Sequence, residues 1–308
     1  MSEILTERAG SILRVTLNRP AKKNAMTSSM YVTLAEILND AGKDEEVRVV
    51  LWTGAGDSFS AGNDLQDFLK NPPGPGESPQ AQLASALLNF DKPLIAAVQG
   101  VAIGGGTTLL THCDFVYAGE SAKFQLPFVN LGLVPEFGSS WSLPARSGYL
   151  RAAELIMLGQ PFDARLAAEI GLVTKVVSDD RVLDTAIETA SKLAAKPPAA
   201  LQACKRLIKR QPRKQIDEAI KVENEEFASR VRSAEAKEAF TAFVEKRAPD
   251  FNRIQKNAAE QSHFLKRFMW SVSPPFPEEA VVRKNDVRII TDTAKSCFCQ
   301  HPNKMGSI

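Results

Sequence analysis

Apolar and polar positions alternate through "SILRVTLN" (11–18), the period of a strand with one buried face. The period then becomes helical. In "SSMYVTLAEILNDAGKD" the apolar residues Met30, Leu34, Ile37 and Leu38 share a face, and Ser28 or Thr27 offers an N-terminal cap. "VRVVLWTG" (47–54) is an unbroken β-branched run ending at glycine, which reads as a strand covered on both faces. "KPLIAAVQG" (92–100) repeats that character, and "CDFVYAG" (113–119) follows as another short strand. This β/α alternation predicts an α/β fold. From about Ala152 the pattern turns helical in "AAELIMLG", "DARLAAEIG", "VLDTAIETASKLAAKPPAALQACKRLIKR" and "QIDEAIKVENEEFASRVRSAEAKEAFTAFVEKR", punctuated by Gly171, Pro197 and Pro198. No repeat of fixed period occurs.

Two segments depart from this order. "KNPPGPGESPQ" (70–80) is rich in Pro and Gly and predicts a flexible loop, placed to cover whatever "FSAGNDLQDF" binds. Residues 252–308 form an atypical extension without sustained periodicity, expected to be poorly ordered apart from a short strand at "DVRII". That tail also holds nine Lys/Arg against five Asp/Glu, whereas the first 250 residues hold 29 against 31. The formal net charge of the whole chain is +2, so it carries no electrostatic footprint for nucleic acid.

The four cysteines (Cys113, Cys204, Cys297, Cys299) are too few for a disulfide framework in 308 residues. "MSEILTERAG" lacks a signal pattern, no apolar run reaches membrane-spanning length, and "NKMGSI" is no peroxisomal address. The expectation is a cytoplasmic protein with no membrane partner. "CFCQH" (297–301) has soft ligands but not the paired spacing of a zinc site, so no metal is expected.

Candidate chemistry sits in glycine-rich stretches. "SFSAGNDL" (58–65) follows a strand, and "VAIGGGTTLL" (101–110) opens a predicted helix at Gly104-Gly105-Gly106. Absent side chains let a ligand approach the backbone, and unpaired amides at a helix start point toward it. One amide from each stretch would hold an oxygen that becomes negative during reaction. Tight helix packing explains a glycine triplet equally well. Glu136 is the lone acid in "LGLVPEFGSSWSLP" (131–144), and burying its charge unpartnered would cost several kcal/mol. It is either a solvated turn residue or a carboxylate reserved for proton transfer.

These stretches, with "LNRPAKKNAM" (17–26), "KPLIAAVQGVAIGGG" (92–106), "CDFVYAGESAKFQLPFVNLGLVP" (113–135) and "AFTAFVEKRAPDF" (239–251), resemble the crotonase (enoyl-CoA hydratase/isomerase) superfamily. The resemblance covers nearly all of 1–251. It implies a crotonase-like spiral of ββα units over 1–195 and a helical C-terminal assembly region over 196–251, forming homotrimers or homohexamers. It implies an acyl-coenzyme A thioester as substrate, with no cofactor beyond the coenzyme A that the substrate carries. The thioester oxygen would lie between the backbone amides of Ala61 and Gly105. Ala61, Gly62, Asn63, Asp64 and Leu65 would border the coenzyme, with Lys22, and alternatively Lys23 or Lys92, near its phosphates. Surface charge explains each of those lysines as well, and Asp64 also suits a helix cap.

The resemblance leaves the reaction open. Hydratases of the superfamily use two glutamates, whose places are taken here by Thr108 and Phe128. A hydroxyl and a phenyl ring cannot exchange protons with water at neutral pH. Glu136 instead resembles the single catalytic glutamate of the Δ3,Δ2-enoyl-CoA isomerase branch. One carboxylate then moves a proton from C2 to C4, with Phe128 and Trp141 in an acyl pocket. The alternatives are a thioester hydrolase or dehalogenase of the same fold, and a non-catalytic acyl-CoA-binding protein. His112 is expected to cap or pack rather than react.

Overall fold

The computed structural model describes residues 2–71 and 78–254. The chain begins with an antiparallel hairpin, β1 (Ile4–Ala9) and β2 (Ile12–Leu17), of which β1 has no counterpart in the pattern reading. Helix α1 (Ser28–Lys43) is capped by Thr27, whose side chain accepts the Met30 amide. Strand β3 (Val49–Gly54) lies parallel to β2 and is buried throughout. Its even and odd residues face different cores, which is why its sequence shows no alternation. Val50 and Trp52 join the main core, whereas Val49 and Leu51 pack with Val182, Ala186 and Ala190 of a later helix.

After the loop 58–64 come α2 (Leu65–Lys70) and α3 (Pro79–Asn89); α3 is capped by Ser78 and packs on α1. Of the loop expected over 70–80, Lys70 thus ends α2, Pro79 and Gln80 open α3, and residues 72–77 lie outside the described residues. Strand β4 (Leu94–Val98) continues the sheet in parallel with β3, and β5 (Val101–Ile103) starts a second sheet. The helix expected at the glycine triplet is a single turn, α4 (Gly105–Thr108), tightening into a 3₁₀ turn over Leu109–His112.

Strands β6 (Phe115–Gly119) and β7 (Lys123–Gln125) extend the first and second sheets. Helices α5 (Ser139–Ser147) and α6 (Tyr149–Leu158) start the helical half earlier than Ala152. The remaining elements are β8 (Phe162–Asp163), α7 (Ala164–Glu169), β9 (Lys175–Val177), α8 (Val182–Ala194), α9 (Pro198–Arg230) and α10 (Ala234–Val244). The completed sheets have the orders β1-β2-β3-β4-β6-β9 and β5-β7-β8. The successive pairs β4–β5 and β6–β7 each send their first strand to the long sheet and their second to the short one, the repeating turn of the spiral that the resemblance implies.

Helix α9 runs unbroken for 33 residues through Pro212. A mid-helix proline costs a hydrogen bond and a steric clash. Burial of the apolar Ile220, Phe227 and Ala228 against the rest of the fold offsets that cost. Lys205 is tied to Asp114 at 2.7 Å and to the Lys92 carbonyl at 2.6 Å. The helical region expected at 196–251 is packed into the same unit as the spiral. No helix among the described residues is long and apolar enough to cross a membrane. The "DVRII" strand and the "CFCQH" cluster lie outside the described residues.

Candidate active site

Two backbone stretches meet at the start of α4. A Cβ placed on Gly62 would stand 2.5 Å from the Ile103 carbonyl oxygen and 3.5 Å from the Gly105 nitrogen, and φ there is +84°. Only glycine accommodates both the conformation and the approach. Backbone hydrogen bonds then decide which amides remain available. The Ala61 amide donates to the Lys23 carbonyl at 2.8 Å, the Gly62 amide to the Ser60 hydroxyl at 3.1 Å, and the Asp64 amide to the Met26 carbonyl at 2.8 Å. Among the described residues no acceptor takes the Asn63 amide. The Gly105 amide, at the first position of α4, has no acceptor within its helix.

This corrects the expected donor pair. Ala61 is already committed to a carbonyl on the segment before α1, so its amide cannot serve a ligand. Asn63, two residues on, is the available donor that the sequence reading missed. No residue type signals the difference, because it depends on where the chain of Lys23 passes.

Glu136 is 4% exposed, and its Oε1 atom has no hydrogen-bond partner. A Cβ on Gly105 would lie 3.0 Å from that oxygen and 2.9 Å from the Tyr31 hydroxyl. Tyr31 donates to Oδ1 of Asn63 at 2.7 Å, which turns the Asn63 amide group toward the carboxyl and lets it donate there. Burial pushes the Glu136 pKa up to about 8; the charge of Glu223 adds to the rise and the Asn63 hydrogen bond opposes it. The solvated-turn reading of this acid does not describe the structure.

The turn that carries Glu136 is itself unusual. Phe137 has φ +60° and Gly138 φ +71°, two successive left-handed residues of which only the second is glycine. A bulky residue in that region costs of order 1 kcal/mol or more and persists where surroundings enforce it. Here His112 Nε2 donates to the Phe137 carbonyl at 2.7 Å, and both the amide and hydroxyl of Ser139 donate to the Glu136 carbonyl. Burial lowers the His112 pKa to about 4, so the ring is neutral. His112 therefore packs and pins, as expected.

Beside these residues opens a cavity of about 720 Å³. The loop Ala61–Leu65 lines it together with Lys22, Gly105 and Phe128. Glu136 lies against two of its walls, Asn63 and Gly105. Phe243, Val244, Lys246 and Arg247 line it from the end of α10, a contribution that nothing in the local pattern of "AFTAFVEKRAPDF" signals.

Other expected members are elsewhere. Trp141 is half-buried on α5 and is not part of the cavity wall. Lys92 is buried, donating to the carbonyls of Ala41 and Asp44 at 2.6 Å each, so it cannot reach a phosphate. Lys23 is exposed and 4.0 Å from Asp57. Asp64 caps α2 through the Gln66 and Asp67 amides and pairs with Arg19 at 2.9 Å while bordering the cavity. Thr108 is fully buried, with its hydroxyl 3.4 Å from the carbonyls of Gly104 and Gly105.

Comparison with known proteins gives a consistent result. Residues 7–255 match the profile described as enoyl-CoA hydratase/isomerase. The 1,2-epoxyphenylacetyl-CoA isomerase of Escherichia coli (strain K12) is 37% identical, with 82% of this chain and 98% of that protein covered. The 2,3-dehydroadipyl-CoA hydratase of the same organism is 35% identical over 82% of this chain and 99% of its own length. The solved structure of Pseudomonas aeruginosa OdaA superposes with a TM-score of 0.77 at 47% identity, covering 79% of this chain and 99% of that one.

Proposed function

The chain belongs to the enoyl-CoA hydratase/isomerase family, and from that premise we propose that it moves a double bond from position 3 to position 2 of an enoyl-CoA. That it is an acyl-CoA enzyme of the crotonase fold follows from the family. The particular reaction is our reading, since its relatives carry both isomerase and hydratase names. The observation that carries it is Glu136: a buried carboxyl with one oxygen unpartnered, held against Gly105 and Asn63 at the cavity wall.

In its ionised form Glu136 takes a proton from C2 of the 3-enoyl thioester. The C2–H electron pair flows into the π system and the thioester oxygen gains negative charge. The amides of Asn63 and Gly105 stabilise that oxygen, since both residues line the cavity and neither amide is committed to an acceptor in the backbone network around it. The protonated acid then delivers the same proton to C4, leaving the double bond between C2 and C3. Burial supports this role by weakening the acid until either direction of transfer is accessible near neutrality. No resident cofactor enters the scheme; coenzyme A arrives on the substrate, with Lys22 at the cavity edge.

Hydration needs a second acid, and the two positions that would supply it hold buried Thr108 and Phe128. The discriminating experiment is incubation with a 3-enoyl-CoA. We expect a rise in absorbance from the conjugated 2-enoyl thioester and a product of unchanged mass. Gain of water, or release of free coenzyme A without a shifted double bond, would replace this reading with hydration or thioester hydrolysis.

We also propose assembly into a homotrimer or homohexamer. The exposed apolar residues Leu150 on α6 and Leu207 and Ile208 on α9 support it, because such side chains favour burial. A sedimentation mass of three or six chains is the expected result; a monomer at micromolar concentration refutes it.

A further inference from the structure

A second buried carboxylate stands behind the base. Glu223 on α9 is 5% exposed, and nothing in its helix requires an acid there. Its two oxygens reach across 85 and 83 positions of sequence to accept the Gly138 amide at 2.6 Å and the Ser140 amide at 2.7 Å. Those amides belong to the turn after Glu136 and to the first residues of α5, which has no cap from its own sequence. Gly138 has no room for a side chain either, since a Cβ would meet Ile216 of α9 at 2.7 Å. The left-handed pair Phe137 and Gly138 is thus pressed between His112 on one side and α9 on the other.

We propose that Glu223 is a positioning residue for Glu136: it clamps the turn that aims the base and stands as a fixed negative charge behind it. The inference rests on the assignment of Glu136 as the base. Two buried carboxyls close together do not ionise equally, and the donor sets decide which goes first. Glu223 accepts two backbone amides and the Ser140 hydroxyl, whereas Glu136 accepts only the Asn63 side chain. Although burial holds the Glu223 pKa above the ordinary carboxylate value, its donors favour its charged form first. The charge is then already present when Glu136 titrates, and it keeps Glu136 a weaker acid.

The other titratable group against Glu136 is Tyr31 on α1, whose pKa burial raises well above 10, so it stays a neutral donor. Beyond Phe137 lie neutral His112 and, around it, the cations Lys205 and Lys209 of α9 and Arg146 of α5. None of these cations bonds either carboxyl.

The test uses the full-length enzyme with two substitutions. Glu223→Gln removes the charge, and the ascending limb of kcat/KM against pH should move to lower pH by about one unit. Glu223→Asp keeps the charge but withdraws it by one methylene from both amides. Its limb should stay where the wild type has it, while kcat falls roughly 10- to 100-fold through a displaced base. An unshifted limb in a folded Glu223→Gln enzyme overturns the electrostatic role, and wild-type kcat in Glu223→Asp overturns the clamp. If the glutamine variant does not fold, the aspartate variant still decides the clamp. Should Glu136→Gln itself retain turnover, the parent assignment has failed instead, which these two variants do not mimic.

Discussion

Replacing Glu136 by Gln is expected to lower kcat by about 10²–10⁴-fold, the usual worth of a positioned acid/base group, while making the folded protein more stable. The two effects have one cause. Burial gives the carboxyl a pKa of about 8 in the folded chain against an ordinary 4.5, so between those values the folded state holds a proton that the unfolded state releases. Stability from this group is fully present below 4.5 and is lost as pH rises through 8. In that window the wild type loses about 1.4 kcal/mol per pH unit relative to a neutral residue at the same place. The stability gained by the glutamine variant should therefore be small in acid, grow with pH, and level off above 8. Denaturant titrations on both sides of that value, compared with wild type, read it directly. The wild-type kcat/KM should rise along the same interval, because only the ionised acid can take the C2 proton. A variant that turns over normally, or a stability difference flat with pH, refutes the buried-base assignment.

The trade between stability and chemistry at this residue also explains what the sequence could and could not convey. A single acid among Val134, Phe137 and Trp141 signals an unusual environment without structural help, and the order of the glycine stretches locates it in the fold. Strand β3 is legible because two-sided burial leaves an unbroken apolar run, and α1 because Thr27 and its helical stripe agree. The donor pair was half legible. Gly105 follows from its place in the triplet, but Ala61 looks as suitable as Asn63 until the Lys23 carbonyl is found to occupy its amide at 2.8 Å. That bond is set by a left-handed residue, Lys23 at φ +48°, in a loop whose path the local pattern does not fix. Trp141 fails for a similar reason: neighbourhood in sequence is not neighbourhood in space once Phe137 and Gly138 reverse the chain. Glu223 was illegible altogether. It reads as one more acid in "KVENEEFASR", and only the docking of α9 separates it from Glu225 and Glu226 beside it.

Gly105→Ala is expected to reduce kcat/KM by about 10²-fold, the cost of displacing the base and its partners by roughly an ångström, with the fold preserved. The added methyl would meet the Tyr31 hydroxyl at 2.9 Å and Glu136 Oε1 at 3.0 Å. Both are ends of side chains, and Gly105 does not have the positive φ that a methyl resists, so the backbone can stay and the functional groups must give way. The next glycine provides the contrast. A methyl on Gly106 would stand 2.6 Å from the Ser60 carbonyl oxygen, a backbone atom of the neighbouring stretch, so Gly106→Ala should damage folding rather than chemistry alone. Melting curves separate the two: the Gly105 variant should melt within a few degrees of wild type and the Gly106 variant well below it. If Gly105→Ala keeps full kcat/KM, the reacting carbonyl does not sit between Gly105 and Asn63, since no rearrangement can both admit the methyl and leave the Tyr31–Asn63–Glu136 chain and its adjacent amides unmoved.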